Sequence, residues 1–140
     1  MKKFALLIAA SLLLVPAALA TDFVTESNLT GITLPKGALE LTDDDFSDEM
    51  VELLEDVAAT LNGKCQYHEL LYWEGDPVAL GKALGAKIPN TLKYKTLDLG
   101  EVDGGTYEQF SLTSTKVQYA GVWIDSADDV ILAWCDVVRK

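Results

Sequence analysis

Residues 121–137 read GVWIDSADDVILAWCDV. Two apolar runs, Gly121 to Ile124 and Val130 to Cys135, flank an acidic turn, which is the pattern of a β-hairpin. A hairpin with one wet face alternates apolar with polar residues, and this one scarcely does. Both of its faces call for cover, and the reading of the fold turns on what covers the second.

The preceding residues extend the hairpin into a meander. With Ser114-Thr115 as a two-residue loop, Leu112 faces Val117 and Phe110 faces Tyr119. With Asp125 to Asp128 as the next turn, Trp123 faces Val130, Gly121 faces Leu132 and Tyr119 faces Trp134, lining the side that meets the helices. The reverse side carries Ala120, Val122, Ile131 and Ala133, with Tyr107 beside Val122. That is too much apolar surface to leave wet, so these five residues form a candidate interaction patch. Three covers stand open: the N-terminal arm, a homodimer or unknown protein partner, and an apolar ligand.

Upstream, Phe46, Met50, Leu53, Leu54, Val57, Ala58 and Leu61 recur at helical period, which predicts a helix from about Asp43 to Asn62. Thr42 followed by Asp45 resembles a capping box. The outer face holds Asp48, Glu49, Glu52, Glu55 and Asp56 with no basic residue, a second candidate surface suited to a basic ligand. Cys65 to Glu74 reads as a strand. Asp76 and Pro77 signal a short second helix to about Leu84, and four further strands follow Pro89. The order α-β-α-β-β-β-β predicts an α+β domain, an antiparallel sheet of four to five strands with two helices packed on one face. Residues 21–42 show no sustained period and read as an extended arm ahead of a single domain at 43–140.

Residues 1–20, MKKFALLIAASLLLVPAALA, have the form of a cleaved signal peptide: Lys2 and Lys3, an apolar stretch, then Ala18-Leu19-Ala20. Export to a periplasmic or extracellular space is the expectation, with no membrane span in the mature chain. In such a compartment two cysteines, Cys65 and Cys135, are most simply read as one disulfide. The formal charge of −11 argues against nucleic acid and anionic membrane surfaces, which need lysine and arginine for neutralisation.

Chemical motifs are scarce. His68 is the only histidine, and His68-Glu69-Leu70-Leu71-Tyr72 lacks the second histidine of a zinc helix. The acidic groups Asp125, Asp128 and Asp129 lack the spacing of a calcium loop. No catalytic residue, metal or cofactor is assigned. The chain reads as a small exported soluble protein that acts by binding or protein interaction rather than catalysis. The alternatives are a hydrolase whose site is built from carboxylates, glycosidase-like, and a structural envelope component.

Overall fold

The computed structural model describes residues 23–140, so the expected signal peptide at 1–20 lies outside the described residues. Seven strands form one antiparallel sheet: β1 (Phe23–Glu26), β2 (Thr33–Leu41), β3 (Gly63–Glu74), β4 (Lys93–Val102), β5 (Gly105–Thr113), β6 (Gln118–Ser126) and β7 (Asp129–Arg139). Helix α1 (Asp48–Thr60) links β2 to β3, and α2 (Pro77–Lys87) links β3 to β4. The strands lie side by side in the order β1-β2-β3-β7-β6-β5-β4.

The sheet therefore exceeds the expected four to five strands. The additional pair is β1 and β2, within the stretch expected to be a separate arm. Pro35 and Gly37 break the alternation there, and β2 pairs with β3 only through Leu39, Glu40 and Leu41. So brief a ladder leaves little periodic trace in the sequence.

Helix α1 starts later than its apolar period suggests. Thr42 donates from its backbone N–H and its hydroxyl to Asp45 Oδ2 at 3.0 and 3.1 Å, closing a separate 3-10 turn over Asp43–Asp45. The α-helix is capped by Ser47, whose side chain accepts from the Met50 N–H at 3.2 Å. At its other end Asn62 takes the left-handed conformation (φ 60°), and Gly63 opens β3. Helix α2 begins as its sequence predicts: Asp76 Oδ2 accepts from the Ala79 N–H at 3.1 Å, with Pro77 in the first turn.

The two helices serve different faces. Along β3, Leu70 and Tyr72 point one way and Leu71 and Trp73 the other, as pleating requires. Met50, Leu54, Val57 and Ala58 of α1 pack with Leu70, Tyr72, Ala120, Val122, Ile131 and Ala133. Leu84 of α2 belongs to the opposite core, with Leu71, Trp73, Phe110, Leu132 and Trp134, and with Ile32, Leu34 and Ala38 from the N-terminal segment. Two helices on one face is thus the wrong arrangement. It also settles the opening hairpin: its second face is covered by α1. The patch of Tyr107, Ala120, Val122, Ile131 and Ala133 is not a surface. Four of these residues are buried and Tyr107 packs at the rim of the same core. Burying Met50, Leu54 or Val57 contributes about 1.5–3 kcal/mol each. That outweighs the roughly 0.2–0.5 kcal/mol lost per like-charged pair on the outer face of α1.

The strand register differs from expectation by two residues at both C-terminal hairpins. Leu112 pairs with Tyr119, and Trp123 pairs with Leu132. A shift of two preserves the face of every side chain, whereas a shift of one would have inverted them. Cys65 and Cys135 form a disulfide with Cα atoms 5.5 Å apart, tying β3 to β7 beside a bulge between Cys65 and His68.

Candidate functional site

Helix α2 carries Gly81 and Gly85, four residues apart and so on one side of the helix. A Cβ at Gly81 would stand 3.8 Å from Trp123 Cζ2, and one at Gly85 would meet nothing within 4 Å. The missing side chains leave open a space that a helix would normally fill against its sheet. Across that space stand Tyr94 of β4, Glu108 and Phe110 of β5, Trp123 of β6 and Trp134 of β7. With Leu84, Ile88 and Leu92 at its margins, this cavity measures about 570 Å³. Small-molecule sites commonly occupy about 300–1,000 Å³ and combine apolar walls with a few polar groups.

The register of the sheet places these side chains. Glu108 sits opposite Trp123, and Phe110 opposite Gly121, which in turn faces Trp134. The Phe110 ring lies over Gly121, where any Cβ would collide with it. Tyr94 stacks on Phe110 with ring centroids 5.4 Å apart and planes inclined by 26°. Trp123 lies 6.2 Å from Trp73, centroid to centroid. The Trp134 indole N–H is already committed to Glu69 Oε1 at 2.7 Å.

Glu108 is the one carboxylate on the cavity wall among the described residues. Its Oε2 accepts from the Tyr94 hydroxyl and from Thr96 Oγ1, the latter at 2.7 Å. Burial raises its pKa above the ordinary glutamate value, and the nearby negative charge of Asp125 adds to the rise. Asp125 is itself held by the Thr106 hydroxyl at 2.6 Å. A carboxyl whose pKa is higher folded than unfolded destabilises the fold when ionised. Glu108→Gln is therefore expected to raise the melting temperature at pH 7. The gain should vanish as pH falls through the folded-state pKa and then the unfolded one, because both states of the wild type are then protonated. Thermal unfolding from pH 7 to pH 3 checks this, and an unchanged gain at pH 3 would contradict it.

A second cavity of about 640 Å³ opens beside the β3–β7 seam, with Tyr67, His68, Glu69, Lys116, Asp136 and Arg139 among its lining. Its carboxylates are already engaged within the protein. Buried Glu69 accepts from Ser27 Oγ at 2.5 Å, the Asn28 N–H at 2.9 Å and Trp134. Asp136 accepts from the Tyr67 N–H at 2.7 Å, and Glu40 from Asn28 Nδ2 at 3.2 Å. These bonds tie all three carboxylates into the fold, Glu69 through both of its oxygens.

His68 lies edge-on to Phe46, with a buried Nε2 that has no hydrogen-bond partner. The ligand atoms of Glu55, Cys65 and His68 fall within 4.8 Å of one another, the one convergent set of this kind among the described residues. The Cys65 sulfur is bonded to Cys135, however, so it offers no thiolate to a metal. Of the acidic face on α1, Asp48, Glu52 and Asp56 are exposed and Glu49 is partly covered. Glu55 turns inward to accept from the Cys65 N–H at 3.2 Å. The five carboxylates thus do not converge on a common point.

The aromatic cavity escaped sequence reasoning because its walls come from α2 and four separate strands. Its one local signal was the pair of glycines four residues apart in a short helix. The chain matches no protein-family model, no curated protein and no solved structure.

Proposed function

We propose that this is an exported binding protein that holds a small, largely apolar ligand between α2 and the sheet. One observation carries the reading: a cavity of ligand size, walled by Tyr94, Phe110, Trp123 and Trp134, is kept open by two glycines and furnished with a single carboxylate. A glycosidase-like mechanism asks for a pair of carboxyl groups flanking the substrate, and this wall supplies Glu108 alone. Binding is the better account. Export is supported by the charged start, apolar stretch and Ala18-Leu19-Ala20 of residues 1–20, and by the Cys65–Cys135 disulfide, which suits an oxidising compartment.

Nile red, an uncharged fluorophore, tests the cavity directly. The wild-type protein is expected to bind it saturably, with one dye per chain. Gly85→Leu, which puts a side chain into the open space, should weaken binding by about tenfold or more, a change of the size that losing one well-packed contact brings. Leucine also replaces a poor helix former, so the variant should melt no lower than wild type. Equal affinity in both proteins, or no binding to the wild type, would count against the cavity as the site.

A further inference from the structure

We infer that the ligand is an organic cation, an apolar or aromatic body ending in an amine or quaternary ammonium group that lies against Glu108, Tyr94 and Trp123. The inference rests on the reading of the cavity as a binding site and goes on to say what enters it. Twelve residues line the cavity, and only Glu108 is charged; no lysine, arginine or histidine is among them. An anionic ligand would find no counter-charge and would add to the repulsion between Glu108 and Asp125. A polyol would find few hydrogen-bonding side chains and would leave its own hydroxyls unsatisfied, which is costly away from water.

A cation answers what the site lacks. Both protein donors to Glu108, from Tyr94 and Thr96, end on the same oxygen, Oε2, so Oε1 keeps its capacity to accept. The carboxylate is partly stripped of water and its charged neighbour is another carboxylate, so a positive group beside it relieves both penalties. The faces of tyrosine and tryptophan carry the negative side of the ring quadrupole and favour the same charge. At longer range the chain's formal charge of −11 raises the concentration of cations around the protein.

The test compares two probes of the same shape, phenyltrimethylammonium and uncharged tert-butylbenzene, each titrated against tryptophan fluorescence or displacing Nile red. Wild-type protein is expected to prefer the cation by about tenfold or more, the range of a cation–π contact joined to a carboxylate. Glu108→Gln should abolish that preference, bringing the two affinities to within about twofold of each other. Equal affinity of wild type for the two probes would overturn the cationic ligand and leave the cavity reading standing. Failure of both probes to bind would overturn both readings. The comparison on wild-type protein needs no variant, so the inference can be refuted even if Glu108→Gln does not fold.

Discussion

Glu69→Leu is expected to lower the free energy of unfolding by roughly 3–5 kcal/mol, the sum of several orphaned buried donors at about 1–3 kcal/mol each. Three donors end on this carboxylate: the Ser27 hydroxyl, the Asn28 N–H and the Trp134 indole N–H. Ser27 and Trp134 are buried, so water cannot take over their bonds without a change in packing. The Asn28 N–H is only partly buried and recovers some solvation, which holds the total below the maximum. Leucine has about the size of glutamate and creates no large cavity, so the loss is one of hydrogen bonding. Glu69→Gln keeps one acceptor oxygen and should cost less, about 1–3 kcal/mol. Urea unfolding of the three proteins gives the ranking. A Glu69→Leu variant within 1 kcal/mol of wild type would mean that the 27–32 turn does not depend on this residue. Faster amide exchange at Asn28 and Thr30 should accompany the loss, because Ser27 Oγ also accepts from the Thr30 N–H at 3.0 Å.

The other large effect belongs to the disulfide. It joins residues 70 positions apart. In the chain-entropy treatment a closed loop of that length destabilises the unfolded state by about 4 kcal/mol. The double variant Cys65→Ala/Cys135→Ala should lose most of this and keep its far-ultraviolet circular dichroism, since β3 and β7 pair from Gly63–Arg139 to Glu74–Asp129 on either side of the bond. Alanine is the proper replacement because Cys135 is fully buried, and serine would leave a hydroxyl there without a partner. A drop of less than about 1 kcal/mol in urea would show that the unfolded chain is already compact around these two residues.

How much was legible in the sequence differs from element to element. The apolar period of α1 and the Asp76-Pro77 start of α2 were legible because they depend on neighbours within a few turns. The disulfide followed from there being two cysteines behind a start with the form of a signal peptide. The hairpin registers missed by two because each loop falls at residues other than those expected. Ser114 Oγ accepts from the Lys116 and Val117 N–H groups, which widens a two-residue loop to four. At the next turn Asp125 and Ser126 continue as strand, leaving only Ala127 and Asp128 between β6 and β7. The placing of helices on opposite faces did leave a sign in the sequence. Leu70, Leu71, Tyr72 and Trp73 are apolar in succession, as a strand buried on both sides must be. The cavity left almost none, since Tyr94, Glu108 and Trp123 become neighbours only through long-range pairing.

That pairing also orders the protein in time. The middle of the sheet is the seam between Gly63–Glu74 and Asp129–Arg139, and its second strand is the last element among the described residues. Neither core can close until those final residues are present, because β7 supplies Ile131 and Ala133 to one and Leu132 and Trp134 to the other. Contacts between such distant segments form slowly, since the loop entropy comes before the burial that offsets it. A partly synthesised chain that lacks β7 is therefore left without either core by its own topology.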